Sequence, residues 1–176
     1  MSVELEALIQ KGGVYTEVEG SSYSEVYRNI VDRMNFSDSI SKDDVYEGLC
    51  AREKVMSTAV GNGIAIPHCR IPVIKKQSEQ CVAIACLKRP LEMQSPDEQP
   101  VNCMFVILAS NQSDHIQILA ALAELMKNSG FRKLLADHAS EAEILDTIRE
   151  FRNTKTTPKR TVVLTEKRKN NERESN

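Results

Sequence analysis

Two apolar runs, Cys81–Leu87 and Val101–Ala109, constrain this chain more than any other feature. Each is far shorter than the ~20 apolar residues a membrane helix needs. Each is also bounded by turn-forming residues, the pattern of an interior strand that is apolar on both faces. A strand covered on both faces requires helices above and below it. Ser22-Tyr23-Ser24-Glu25 and Ser140-Glu141-Ala142-Glu143 are capping boxes, and Ser41-Lys42-Asp43-Asp44 is a weaker copy of the signal. The apolar spacing after them predicts three helices. One runs from about Ser24 to Met34, one carries Val45, Leu49 and Arg52, and a last one of about ten residues reaches Phe151. Glu4–Gln10 reads as a short helical turn ended by Gly12-Gly13, and Val14–Val18 alternates with period two as a half-buried strand. Ser110-Asn111-Gln112-Ser113-Asp114 opens a further helix with His115 in its first turn and Gly130 at its close, before a short helix over Phe131–Ala136. The interleaving predicts an α/β fold, a layered domain with a mixed central sheet flanked by helices.

Composition narrows the function. A net charge of −2, with 5% aromatics and no Trp, supplies neither the basic footprint nor the stacking platform of a nucleic-acid binder. The 176 residues fit one domain over 1–152 and a polar, mostly basic tail over 153–176, expected to be disordered. No leader-like segment opens the chain and no stretch is long enough for membrane insertion, so a cytoplasmic protein is expected. Cys50, Cys69, Cys81, Cys86 and Cys103 are odd in number and lack CxxC spacing, which reads as reduced core thiols. Only the adjacent pair His68-Cys69 offers metal ligands near each other, so neither a metal nor a cofactor is expected.

The chemistry gathers around His68. Ser57-Thr58-Ala59-Val60-Gly61-Asn62-Gly63 is rich in turn formers and leads into the short apolar run Ile64-Ala65-Ile66. Pro67 has no amide hydrogen, so the strand is expected to stop there and leave His68 on its rim. A neutral imidazole keeps a free lone pair on one nitrogen while the other donates a hydrogen bond, which makes it a phosphoryl acceptor. Phosphoryl transfer then needs positioning and donors for the phosphate oxygens. Candidate donors are the Arg52 guanidinium, the hydroxyls of Ser57 and Thr58, the turn Gly61-Asn62-Gly63, and His115 at a helix start that favours anions. The residues alone leave blander roles open: a solvated loop for His68, a surface position for His115, an answer to the helix dipole for Arg52. Ser57 and Thr58 are compatible with a plain turn, Gly61 and Gly63 with positive-φ backbone, and His138 with the surface. A Cys69 thiol nucleophile would lack an evident third partner.

The run Glu53-Lys54-Val55-Met56-Ser57-Thr58-Ala59-Val60-Gly61-Asn62-Gly63-Ile64-Ala65-Ile66-Pro67-His68-Cys69 closely resembles the signature of the type-2 enzyme IIA domain of the bacterial phosphotransferase system. This is the mannitol, fructose and nitrogen-regulatory branch. Arg52 and the pair Asp114-His115 stand where the family carries an arginine and a second histidine, and the agreement in element order runs from about Leu5 to Phe151. The resemblance implies the mannitol-type IIA fold, with His68 phosphorylated, His115 contacting the phosphate and Arg52 tuning transfer. Cys69 stands where the family more often has Gly or Ala. The implied phosphoryl donor is the histidine-containing phosphocarrier protein, and the implied recipient is a regulatory target or a IIB domain. The Gly-Asn-Gly-Ile-Ala-Ile-Pro-His run, with no IIB or IIC segment expected, is most similar to the stand-alone nitrogen-regulatory group. A sugar-uptake IIA and a binding module without phosphate transfer are the alternatives.

Overall fold

The computed structural model describes residues 4–156. Its elements in chain order are α1 (Leu5–Gly12), β1 (Val14–Val18), α2 (Tyr23–Arg33), α3 (Lys42–Val55), β2 (Ala59–Gly61), β3 (Ile64–Ala65), β4 (Cys81–Leu91), β5 (Val101–Leu108), α4 (Gln112–Met126), α5 (Ser129–Ala136) and α6 (Glu141–Thr156). The strands form one sheet in the order β1-β4-β5-β3-β2. β1 pairs parallel with β4 and β3 parallel with β5, whereas β4–β5 and β2–β3 are antiparallel, so the sheet is mixed. Among the described residues no helix is long and apolar enough to cross a membrane.

The two apolar runs become the central strands, and their alternation splits the core into two layers. Ala83, Ala85 and Leu87 of β4, with Met104, Val106 and Leu108 of β5, pack against Val26, Tyr27, Ile30, Val45 and Leu49 of α2 and α3. Val82, Ile84, Cys86, Cys103, Phe105 and Ile107 face the other way, onto Ile9, Ile118, Leu122, Phe131 and Ile144 of the remaining helices. The cysteines are free, and all but the half-buried Cys69 are buried.

Several boundaries differ from the sequence expectation, each for a local reason. β4 continues through Pro90 to Leu91, into what reads as a loop, because a bulge between Cys86 and Leu91 lifts the exposed Lys88–Pro90 out of the ladder. Gly130 does not close α4. It lies in the first turn of α5, whose cap is Asn128, the side chain accepting from the Phe131 amide at 3.1 Å. The Ser140 box is fully reciprocal, yet α6 runs past Phe151 and past the boundary at 152, to Thr156. Residues 157–176 of the expected tail lie outside the described residues. Ala59-Val60-Gly61 reads as turn and is instead the edge strand β2, joined to β3 by the two-residue turn Asn62-Gly63.

Gly12 sets how closely α1 approaches the sheet. A methyl group there would lie 2.2 Å from the Val82 carbonyl oxygen and 2.6 Å from the Ala83 nitrogen, and neither backbone atom can yield without moving β4. Gly12→Ala is therefore expected to destabilise the fold by about 3 kcal/mol, read as a fall in the urea midpoint with an unchanged slope.

Candidate functional site: a histidine pair beside an arginine

The site lies at the carboxyl ends of the parallel neighbours β3 and β5, where open α/β sheets place ligands. Pro67 does not end the pairing as completely as its missing amide suggests. Its carbonyl accepts from the Ile107 amide at 2.9 Å, and His68 sits in a parallel bridge with Ile107. The histidine is thereby fixed to β5 just where that strand hands over to α4. Asn111 caps α4 by accepting from the Asp114 amide at 2.9 Å, and His115 follows in the first turn. The two imidazoles meet with centroids 4.6 Å apart and planes tilted by 43°.

The hydrogen bonds of His68 define its chemistry. The Ile66 carbonyl can only accept, so the 2.8 Å contact to Nδ1 places the proton on Nδ1. Nε2 then carries the lone pair, and Arg52 Nε donates to it at 3.2 Å. Arg52 is held in turn by its own helix end, Nη1 donating to the Met56 carbonyl at 2.6 Å. Burial lowers the pKa of His68 from its ordinary value, and the Arg52 charge lowers it further against a raising contribution from the Ile66 bond. Burial also lowers that of His115, with help from His68 and Arg52. Both rings stay neutral around pH 7, so each keeps one lone-pair nitrogen, which in His68 is Nε2, and both histidines line a pocket.

That pocket, of about 380 Å³, is lined by Arg52, His68, Cys69, Arg70, Asn111, Gln112 and His115 over an apolar floor that includes Val73 and Ile107. Among the described residues no carboxylate lines it, so its electrostatics favour an anion. Asp114, the nearest acid in the α4 first turn, is tied to the Gln80 and Asn111 amides at 2.8 Å each. Burial pushes the Cys69 thiol up to about 12, which keeps it protonated and unreactive near neutral pH. Among the described residues no group of three or more His, Cys, Asp or Glu side chains could hold a metal ion.

The structure brings Arg52, His68 and His115 together and leaves the other proposed phosphate contacts outside the pocket lining. The Ser57 hydroxyl donates to the Met93 carbonyl and accepts from the Ala59 amide. Thr58 gives its amide and hydroxyl to Glu53, at 2.9 and 2.6 Å. Gly61, Asn62 and Gly63 form the β2–β3 turn with φ of 94°, 55° and 71°, and the Asn62 amide donates to Asp97 at 2.6 Å. Positive φ at both Asn62 and Gly63 marks a type I′ hairpin turn, so their job is to fold the hairpin back. Sequence reasoning passed over Arg70, which lines the pocket two residues after His68 and makes no hydrogen bond or ion pair with a described residue. Proximity to His68 was the available signal. His138 is a half-exposed neighbour of Glu17, at 3.6 Å, far from this chemistry in the chain.

The family described as phosphoenolpyruvate-dependent sugar phosphotransferase system, EIIA 2, matches residues 7–151. The chain belongs to that family. A nitrogen regulatory protein of Pseudomonas aeruginosa is 30% identical over 146 residues, covering 81% of this chain and 92% of its own length. One from Bradyrhizobium diazoefficiens is 40% identical over 93 residues, 52% of this chain and 59% of its own, so the matched stretch spans little more than half of that relative. The crystal structure of nitrogen regulatory protein IIA-Ntr from Neisseria meningitidis superposes with a TM-score of 0.70 at 27% identity, covering 81% of this chain and 97% of that one. The mixed sheet flanked by helices is the fold of these IIA proteins, as the sequence resemblance implied.

Because folded His68 and His115 have lowered pKa values, the unfolded chain binds protons first as the pH falls from 7. Their contribution to stability is complete above the ordinary histidine pKa of about 6.5 and declines below it. An NMR titration should place the His68 midpoint below 6.5. A midpoint above that value would contradict the account of its surroundings.

Proposed function

We propose that the protein is a cytoplasmic phosphocarrier that takes a phosphoryl group onto His68 Nε2 from the histidine-containing phosphocarrier protein and regulates a partner according to its phosphorylation state. The observation that carries the reading is the His68 tautomer. The proton on Nδ1 is held by Ile66, and the lone pair on Nε2 faces a pocket with two guanidinium groups and no carboxylate. In transfer, Nε2 attacks phosphorus while the bond from phosphorus to the donor's histidine nitrogen breaks, and that nitrogen leaves with its electron pair. Arg52 moves its N–H from the lone pair to an oxygen of the arriving group, a charge-assisted bond that exists only once the phosphoryl group is present. His115, neutral and 4.6 Å away between ring centroids, supplies a second donor. The phosphohistidine carries about two negative charges and adds them to a pocket whose described lining has no carboxylate, which changes affinity for partners.

Exposed apolar side chains near the site in the chain favour a protein partner. Val55, Met56, Ile71 and Ile116, all of the exposed large apolar side chains among the described residues except Val60, follow closely on Arg52, His68 or His115 in the sequence. The nitrogen-regulatory reading rests on the naming of the relatives and on the Gly61–His68 run. The family's own description favours a second reading, a sugar-uptake IIA that passes its phosphate to a IIB domain.

Incubation with the phosphorylated phosphocarrier protein should put an acid-labile, base-stable label on the wild type and none on His68→Ala. His115→Ala should still label, at a rate lower by about tenfold to a hundredfold, the range for loss of one preorganised donor. Equal labelling of His68→Ala and wild type would overturn the assignment.

A further inference from the structure

Glu53 is a buried carboxylate, 8% exposed, whose hydrogen-bond partners among the described residues are uncharged. Its neighbour Arg52 is engaged with His68 and the Met56 carbonyl instead. Three donors satisfy it. Oε1 accepts from the Thr58 amide at 2.9 Å, and Oε2 accepts from the Thr58 hydroxyl and from the buried Tyr27 hydroxyl, both at 2.6 Å. The network does not stop there. The Thr58 carbonyl accepts from the Ile66 amide at 2.9 Å, and the Ile66 carbonyl accepts from His68 Nδ1 at 2.8 Å. A continuous hydrogen-bonded path therefore runs from a carboxylate on α3, through residues 58 and 66, to the proton that fixes the tautomer of His68.

Each link engages both the amide and the carbonyl of Thr58 and of Ile66, so neither residue can rotate without breaking a bond. The path spans the hairpin β2–β3 and ends on the one imidazole nitrogen whose protonation decides which nitrogen is nucleophilic. A buried anion is expensive to keep, and an apolar residue of the same length could fill the same space. Its placement at the head of this path gives it a use that packing alone does not.

We propose that Glu53 is a positioning residue for phosphoryl acceptance, acting through Thr58 and Ile66 to hold His68 in the Nδ1–H tautomer with Nε2 directed into the pocket. This rests on the reading of His68 as the phosphoryl acceptor. Glu53 is not part of the pocket lining, and none of its hydrogen bonds reaches the ring. The charged and titratable groups around His68 are Arg52 and Glu53 of α3, His115 of α4, and Arg70 and Cys69 of its own segment. Only Glu53 is an anion, and it offsets part of the Arg52 charge at the ring.

The test uses full-length protein labelled with 15N at histidine. Long-range proton–nitrogen spectra read the His68 tautomer, and phosphoryl acceptance from the phosphorylated phosphocarrier protein is timed in parallel. Wild type should show Nδ1 protonated and Nε2 bare; the opposite tautomer overturns the proposal without any variant. Glu53→Met removes the acceptor and keeps the length, and should give a mixed tautomer and acceptance slower by about tenfold or more, the scale of effect for a misplaced reacting group. Glu53→Gln keeps an acceptor for the Thr58 amide and should restore both within about twofold. A folded Glu53→Met with wild-type tautomer and rate refutes the positioning role. Should Glu53→Met fail to fold, Glu53→Gln decides, because a Gln variant that loses the tautomer shows that charge and not hydrogen-bond geometry is at work. If wild type takes up no phosphate, the phosphocarrier reading fails, and the tautomer spectra still decide what Glu53 does.

Discussion

The bond from His68 Nδ1 to the Ile66 carbonyl is the interaction on which the rest depends. A carbonyl oxygen offers no proton, so the imidazole must, and the opposite nitrogen, Nε2, is left as the basic atom of the His68 ring. Everything else in the structure positions that pair. The β2–β3 hairpin folds back at Asn62-Gly63 so that Ile66 comes beside Thr58, and the Pro67 carbonyl locks the segment onto β5. Because β5 runs directly into the cap of α4, the same strand that holds His68 also delivers His115.

Charge follows the same design. The pocket keeps Arg52 and Arg70 and excludes carboxylates, while the nearby acids are occupied elsewhere: Asp114 by Gln80 and Asn111, Asp97 by the hairpin turn and Ser95, Glu53 by Tyr27 and Thr58. A phosphoryl group arriving as proposed would meet two cations and two neutral imidazoles. Burial matters as much as charge, since it holds both rings neutral and the Cys69 thiol protonated, which keeps Nε2 of His68 unprotonated as the proposed nucleophile requires.

Much of this was legible in the sequence, and the failures have physical causes. The strands at Cys81 and Val101 announced themselves because both faces are covered, and the Ser- and Asn-based caps located the starts of their helices to within a residue or two. Arg52, His68 and His115 converge as the family resemblance implied. The five turn residues read as phosphate contacts lie outside the pocket lining, and donors in a glycine-rich loop look available until their partners are known. Ser57, Thr58 and Asn62 spend theirs on Met93, Glu53 and Asp97, partners that lie up to 36 positions away in the chain. The extension of β4 through Pro90 was hidden because a bulge exempts proline from the ladder. Glu53 was visible only as one acidic letter of a motif, since its burial and its path to His68 arise from tertiary packing of α2, α3 and the hairpin.

The central claim is that one atom, His68 Nε2, receives the phosphoryl group. Phosphorus–nitrogen coupling in NMR spectra of the phosphorylated, 15N-labelled protein tests it most directly. The account predicts one phosphorus per chain, coupled to Nε2 of His68. Coupling to Nδ1, or to the ring of His115 or His138, would contradict it.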